Sequence, residues 1–338
     1  MGEKIKTVTN GIEERLLRNG NWEEIVTSVN EETLLRKIDI RNIPLFTLLY
    51  TICFLDRVNI GNAKLANLES DLGLTGHEYN WSISIFFVSY VLCGVPSNII
   101  LVKTKPSTWI ASLMIGWGTI VIAMAFVTNY FQLLVTSFLL GIFEAGLFPG
   151  IIFHITKWYK RSEQSYRISL FSSGSVIASA FSGLMAFYVM GLDGIFGLSG
   201  WQWIFLIDGL ITVFVAFFSY FLIADYPETT NWLTEDERKM INNRIQLDSG
   251  QISTTNHDNY QIFEAFKDWK VYIGSILFFS VSVTEYSFVF FLPSIVYGLG
   301  FDSANKLKIS EPERFLNEKN GEEELRLGDK HPSFIYCL

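Results

Sequence analysis

Charged residues are scarce in this sequence. Of its 338 residues, 18% are Asp, Glu, Lys or Arg, whereas 49% are apolar and 29 are Phe. Soluble domains contain about 25% charged residues, so the composition excludes a single soluble domain of this length. The net charge of −8 arises in the polar ends and a central polar segment. It therefore identifies no partner, and nucleic-acid binding is not predicted.

Cysteine and histidine are also rare, with three and four residues. Cys53 and Cys93 lie in apolar runs and Cys337 lies at the end of the chain, which excludes a disulfide framework. No histidine has a second ligand at metal-binding spacing, so no metal site is predicted. The apolar runs contain no Ser–His pair, Cys–His pair or paired carboxylates. Neither an enzyme nor a cofactor is predicted.

The apolar residues occur in blocks long enough to cross a membrane. A helix needs about 20 predominantly apolar residues to span the hydrocarbon core. The shortest block also contains Asp56 and Arg57. Seven spans are predicted: Ile43 to Ile60, Trp81 to Val102, Ser107 to Thr128, Leu133 to Ile155, Ile168 to Met190, Trp203 to Ala224, and Val271 to Gly298.

Basic residues are distributed unevenly among the polar segments. Residues 1–42 contain seven Lys and Arg, and more follow the second, fourth and sixth spans, whereas the alternate loops contain only Arg57 and Lys64. Since basic residues favour the cytoplasmic side, the amino terminus is predicted to be cytoplasmic. Residues 1–42 lack an apolar core, so they are not a secretory signal.

The fourth predicted span contains a carboxylate, Glu144, beside small residues and Pro149. An ionisable residue at this depth costs about 2.5–3.5 kcal/mol on insertion scales and usually faces a partner or a watery cavity. The small residues allow a neighbouring helix to approach closely. Glu144 is therefore a candidate functional residue; the alternative is a carboxylate that only hydrogen-bonds a neighbouring helix.

A second polar group lies near the end of the first span. Asp56, Asn59 and Asn62 are three residues apart and share one helix face, with Arg57 beside them. A face this polar is not expected to point at lipid. Two interpretations are equally favoured by the pattern: a functional role, or a helix end whose Arg57 extends into the headgroups.

Several longer motifs occur in order between residues 35 and 300. They are Asp56 to Ala63, Tyr79 to Phe87, Pro96-Ser97-Asn98, Pro106 to Trp109, Phe143 to Gly150, Trp158-Tyr159 with Arg161, Glu163 and Arg167, and Asp225 to Thr229. This set resembles major facilitator superfamily transporters, and within them the anion:cation symporter family, especially fungal allantoate, nicotinate and vitamin permeases. In two places the sequence departs from that family, with Gln202 where Arg is common and Asp208 where Glu is usual.

The resemblance implies an all-α polytopic membrane protein with the major facilitator fold. It implies an amino-terminal half of six helices, built from two inverted three-helix repeats, plus one further helix. The predicted order is a polar arm 1–42, six spans 43–224, a cytoplasmic linker 225–269, the seventh span 270–300 and a disordered polar tail 301–338. Because the family has twelve spans, the sequence resembles a chain truncated after its seventh.

The function implied is secondary active transport of a small organic anion, of carboxylate, vitamin or ureide type, by proton symport across the fungal plasma membrane. The alternative is a truncated, non-transporting membrane protein that associates with other transporter chains or senses substrate. The resemblance implies substrate binding by Arg57, Asn59, Asn62, Tyr90 and Asn98, proton coupling by Glu144 and Asp56, and gating by Lys157, Arg161, Glu163 and Arg167.

Overall fold

The computed structural model describes residues 30–249 and 267–298, which form only helices and connections. The α-helices are α1 Glu31–Leu65, α2 Leu68–Asp71, α3 Gly76–Lys103, α4 Pro106–Met124, α5 Tyr130–Glu144, α6 Leu147–Trp158, α7 Arg161–Ser172, α8 Gly174–Met190, α9 Gly200–Leu222, α10 Glu235–Ser249 and α11 Trp269–Gly298. Two short 3₁₀ helices lie at Ile195–Gly197 and Pro227–Thr229.

Six helical stretches in the described part are long and apolar enough to cross a membrane. They are α1, α3, α4, α5 with α6, α7 with α8, and α9, and α11 adds a further helix that is apolar over Trp269–Thr284. The predicted all-α polytopic fold is therefore confirmed. The amino-terminal arm before residue 30, the part of the linker from residue 250 to 266, and the tail after residue 298 lie outside the described residues.

The first helix is longer than its apolar run predicts. Asn30 caps α1, because its side chain accepts hydrogen bonds from the backbone amides of Glu32 and Thr33. Glu31 and Glu32 in the first turn also suit the positive end of a helix. The helix therefore begins within the predicted polar arm, twelve residues before Ile43.

The fourth and fifth predicted spans are each divided. The break between α5 and α6 lies at Ala145 and Gly146, immediately after Glu144. Pro149 falls in the first turn of α6, where a missing backbone amide costs nothing. By contrast, α3 runs without a break across Pro96. Glu144 consequently ends a helix instead of occupying the middle of one.

Glycines allow close contacts between neighbouring helices. A Cβ atom on Gly141 would collide with the backbone of Phe86 in α3, and one on Gly174 would lie 2.8 Å from the carbonyl oxygen of Thr47 in α1. A Cβ atom on Gly209 of α9 would lie 2.7 Å from the backbone nitrogen of Ile122 in α4. The contact at Gly141 confirms the close approach predicted for the small residues beside Glu144.

One face of α8 packs against α1, whereas the other is left uncovered by the described residues. Gly174, Ala178 and Ser182 are buried, but Phe181 and Gly183 are exposed. Within the described part of the chain, the serine-rich helix α8 therefore packs against protein on one face.

We expect Gly209→Ala to destabilise the protein and Gly183→Ala to leave it unchanged or slightly more stable. Both substitutions increase helix propensity equally, but only at Gly209 does the methyl group meet backbone atoms. Overpacking costs about 1–3 kcal/mol. Thermal unfolding of the two variants in one detergent measures the difference. Equal melting temperatures would contradict this packing of α4 against α9.

Candidate functional site

The polar residues near the end of α1 are buried inside the helix bundle. Asp56, Arg57 and Asn62 are each 5% exposed and Asn59 is fully buried. An arginine that extended into the lipid headgroups would be exposed. The interpretation of Arg57 as an interfacial anchor is therefore wrong, and the four side chains form an internal polar cluster.

Arg57 and Glu144 form a buried ion pair between α1 and the end of α5. The Nε atom of Arg57 lies 2.6 Å from Oε1 of Glu144, and their side chains are 3% and 1% exposed. The Sγ atom of Cys53, one turn earlier on α1, donates to the same oxygen at 2.8 Å. Glu144 Oε2 has no hydrogen-bond partner among the described residues. One carboxylate oxygen thus accepts both donors and the other keeps an open position.

Aromatic rings surround the other faces of the Arg57 guanidinium. Its central carbon lies 4.8 Å from the ring centre of Tyr90 and 5.7 Å from that of Phe86, both on α3. Tyr286 of α11 contributes a third ring at 5.6 Å, and Arg57 donates a hydrogen bond to its hydroxyl group. These rings cover the cation, which is 5% exposed, and attract it through their faces.

Asp56 points away from the ion pair, toward α4 and α9. Its Oδ2 atom accepts a hydrogen bond of 3.1 Å from the indole of Trp117. On the same side, Asn59 donates to Oδ2 of Asp208, and Asn62 donates to Asn59 at 3.5 Å. The cluster therefore has two parts, one around Arg57 and one around the two aspartates.

A cavity of about 30 Å³ lies beside Asp56 and Arg57. Its other walls come from residues at the ends of α3, α4, α5 and α9 that are remote from the linker, among them Ser82, Met124, Ser137 and Phe205. We call this end of the bundle the far end and the end near α10 the linker end. About 10–15 Å³ suffices for one water, so the cavity can hold about two.

The structure does not bring all predicted site residues together. Arg57, Tyr90 and Glu144 meet, whereas Asn59 and Asn62 belong to the part around Asp208. Asn98 lies eight residues beyond Tyr90 on α3, which is about 12 Å along the helix axis. As a consequence, Asn98 is distant from the guanidinium.

The predicted gating residues lie at the linker end. Arg167 forms a two-pronged ion pair with Asp39 of α1, at 2.7 and 2.8 Å. Glu163 accepts from Arg244 of the linker helix α10, which also lies 2.7 Å from Glu31. These pairs join α1, α7 and α10 into one network.

The other two gating candidates contribute differently. The backbone amide of Arg161 donates to Asp248 of α10 at 2.8 Å. The Lys157 ammonium lies over the ring of Phe153, 5.0 Å from its centre. Within the described residues, neither side chain forms an ion pair of the kind that Arg167 makes.

A second contact holds α10 against α1. Thr234 and Glu237 form a capping box at the start of α10, with bonds of 2.9 and 3.3 Å. Lys37 of α1 donates to Glu237 at 2.8 Å. Burial raises the pKa of Glu237, but the bonds from Lys37 and Thr234 outweigh it and hold this pKa below its usual value. The stabilisation is therefore complete above about pH 4.3, the unperturbed value, and is lost only as the pH falls through the lower folded-state pKa.

Sequence reasoning missed four residues of the site. Cys53 was interpreted only as a small buried side chain, although it donates to Glu144. Trp117 and Tyr286 stand in spans without a motif that indicates a polar contact. Asp208 did carry a signal, because it is an ionisable residue inside an apolar run, and it lies next to Asp56.

This architecture, an all-helical bundle with six stretches able to cross a membrane and a buried ion pair between α1 and α5, defines a multi-pass integral membrane protein. The sequence profile of the Major Facilitator Superfamily matches residues 46–310. The chain belongs to this superfamily, which consists of transporters and not of enzymes.

The relatives are fungal and bacterial transporters. The MFS transporter prlL of a fungal species is 37% identical over 86% of this chain and 60% of its own length. An uncharacterized transporter of Schizosaccharomyces pombe is 34% identical over 88% of this chain and 62% of its own length. An Agrobacterium vitis protein named as a tartrate transporter is 34% identical over 86% and 64%. The chain thus spans about three-fifths of the length of these relatives.

A solved structure shows the same fold. It is a bacterial homologue of the human lysosomal transporter Spinster in an inward-facing, unoccupied conformation, with a TM-score of 0.53 and 19% identity over 75% of this chain and 54% of that chain.

Proposed function

We propose that this protein is a secondary active transporter of a small organic anion, of carboxylate, vitamin or ureide type, that works by proton symport with alternating access. The finer placement in the anion:cation symporter family is part of the same proposal. Membership of the superfamily supports transport in general. The relative named as a tartrate transporter supports a carboxylate substrate, because tartrate is a dicarboxylate.

The observation that carries the proposal is the buried pair of Arg57 and Glu144. A guanidinium stays charged at every physiological pH and presents a planar fork that matches a carboxylate. In the described structure one nitrogen of that fork, Nε, contacts a carboxylate of the protein itself, that of Glu144. A substrate carboxylate offers the same chemistry as Glu144, so the two compete for Arg57.

This competition provides a coupling mechanism. When Glu144 takes up a proton it loses its charge, and its attraction for Arg57 falls. The guanidinium then has an uncompensated charge in a low-dielectric site, and binding of the substrate anion restores neutrality. When substrate and proton leave together, Glu144 returns to Arg57. Each conformational change is thereby made with the charge of Arg57 compensated, by Glu144 in the empty site and by a substrate carboxylate in the loaded one.

The aromatic rings and the remaining polar side chains set the shape of the site. Tyr90 and Phe86 cover the guanidinium from α3, and Tyr286 covers it from α11. A substrate that replaces Glu144 would lie among these rings, so its own polar groups would meet Tyr286 and Tyr90. We propose Asn59, Asn62 and Asn98 as outer contacts of the transport path.

Uptake by cells that produce the full-length protein tests this function. We expect saturable accumulation of labelled tartrate, or of another small carboxylate from a panel, that increases at acidic external pH and disappears with a protonophore. Unlabelled mono- and dicarboxylates should compete, and the matching uncharged amides should not. Accumulation of uncharged solutes with no effect of carboxylates would refute the anion proposal.

We propose that the amino terminus and α10 face the cytoplasm, and that the protein lies in the plasma membrane. Asp236 of α10 and His77 at the start of α3 are both exposed at opposite ends of the bundle. In a background with Cys93 and Cys337 replaced by Ser, we expect Asp236→Cys to resist an impermeant thiol reagent in intact cells and His77→Cys to react. The reverse pattern would invert the orientation. Cys53 can remain, because it is buried.

A further inference from the structure

Two carboxyl groups face each other inside the bundle, away from the Arg57–Glu144 pair. Asp56 of α1 is 5% exposed and Asp208 of α9 is fully buried. Asn59, which lies one turn from Asp56 on the same face of α1, donates to Asp208, so the two carboxyl groups are close neighbours. Two ionised carboxylates at such a distance in a low-dielectric interior repel strongly, and neither carries a hydrogen with which to bind the other.

The remaining contacts do not neutralise this pair. Asp56 receives one neutral donor, the indole of Trp117, and Asp208 receives another, the amide of Asn59. Neither aspartate forms a salt bridge in the described part of the chain. Oδ1 of Asp56 and Oδ1 of Asp208 both remain buried without a partner there. One proton placed between two such oxygens would give each of them a hydrogen-bond partner.

We propose that Asp56 and Asp208 share a single proton and form a protonation site distinct from Glu144. The proton makes one carboxyl group a donor to the other and leaves one negative charge on the pair. A shared proton is how two adjacent carboxyl groups avoid double ionisation. Trp117 and Asn59 each bind an Oδ2 atom, which leaves the two Oδ1 atoms for the shared proton.

The surroundings contain few other groups that could replace this proton. Glu144 of α5 adds negative charge near Asp56, whereas Arg57 is directed to Glu144. The other ionisable groups on the helices packed against the pair are remote or exposed. Tyr188 of α8 is 69% exposed, and His154 of α6 packs against Phe46, which lies about 15 Å along α1 from Asp56. The remaining groups belong to α2 or to the linker end: Glu69 and Asp71 on α2, and Lys157, Arg161, Glu163 and Arg167 on α6 and α7.

A cavity large enough for water lies beside Asp56. Asp56 and Ser137 both line it, and the hydroxyl group of Ser137 also lacks a partner among the described residues. Water in the cavity can bridge these groups. Water in this cavity can therefore pass a proton to Asp56.

Infrared difference spectroscopy of the purified full-length protein tests the shared proton directly and needs no substrate. At neutral pH we expect a carboxylic acid C=O band that disappears on alkaline titration. Asp56→Asn and Asp208→Asn should each remove this same band, because either amide leaves the other carboxyl group ionised and hydrogen-bonded. Glu144→Gln should leave it in place, and so should Asp236→Asn at an exposed position of α10.

Thermal unfolding provides a second measurement for these variants. The wild-type protein should lose stability as the pH rises and the pair loses its proton, since two buried charges then repel. Each single Asn variant should lose this alkaline decline. If both variants keep the band and the decline, the shared proton is refuted. Loss of the band on adding Na⁺ at constant ionic strength would instead identify a cation site and overturn the proposal.

The role of this aspartate pair in proton coupling depends on the proposed transport function. The spectroscopic test of the shared proton does not depend on it. A band that depends on both aspartates in a protein without anion uptake would refute transport and retain the shared proton. Proton-coupled uptake in a protein whose band is insensitive to both substitutions would refute the shared proton and retain transport.

Discussion

Replacement of Glu144 by Gln should abolish proton-driven accumulation while preserving exchange of substrate across the membrane. Gln has the shape of a protonated Glu and cannot ionise, so it leaves Arg57 permanently available to the anion. In full-length protein we expect the uptake rate to become independent of external pH, with exchange of labelled for unlabelled substrate retained. Uptake normalised to surface protein, measured across pH with and without a protonophore, provides the test.

A suitable control is Glu69→Gln, which removes the partner of Lys64 in a partly exposed pair of 3.2 Å at the far end. Pairs of this kind contribute about 0–1 kcal/mol, so its pH profile should match that of the wild type. If Glu144→Gln also keeps the wild-type profile, the coupling role is refuted. Glu144 would then be a hydrogen-bonding link between helices, and the variant would differ only in abundance.

Replacement of Arg57 by Lys should weaken anion binding even though the charge is kept. Arg57 uses Nε toward Glu144 and a terminal nitrogen toward Tyr286, and an ammonium group cannot reproduce this fork. Loss of a buried charge-assisted hydrogen bond costs about 1.5–3 kcal/mol, which corresponds to a roughly 10- to 100-fold higher half-saturation concentration. Concentration-dependent uptake by the two proteins at equal surface density measures the change.

Arg36→Lys is the matched control, because Arg36 lies exposed on the same helix. It should leave the half-saturation concentration unchanged. A structural role for Arg57 predicts a different outcome: breaking a buried ion pair costs about 3–5 kcal/mol, so Arg57→Lys would accumulate poorly and yet bind substrate normally per molecule. Normal affinity in the surviving molecules would therefore contradict direct anion binding.

The apolar blocks and their lengths were enough to predict the helical membrane fold. Hydrogen bonds inside a helix satisfy the backbone wherever water is absent, so a run of about twenty apolar residues has few alternatives. The boundaries were less predictable. The start of α1 at Glu31 depends on the Asn30 cap, and the break after Glu144 depends on local packing of Gly146 against Ser97 and Leu113.

For the site, likewise, the sequence identified some features and not others. Arg57, Asp56 and Glu144 could be identified from sequence, since ionisable residues within apolar runs are costly and need a partner. Their partners could not. Asp56 and Arg57 are neighbours in sequence, yet one turns toward Trp117 and Asp208 and the other toward Glu144 and the aromatic rings.

By itself, then, the sequence determined that this protein crosses the membrane repeatedly and that particular charged side chains must be sheltered within it. Both conclusions follow from the cost of placing polar groups in hydrocarbon, which depends on residue type and position along a run. Only the tertiary structure decided which charges meet, because residues 56 and 208, or 57 and 144, are brought together by the crossing of helices. Pairing depends on distances of a few ångströms between elements, and spacing within one helix does not fix those distances.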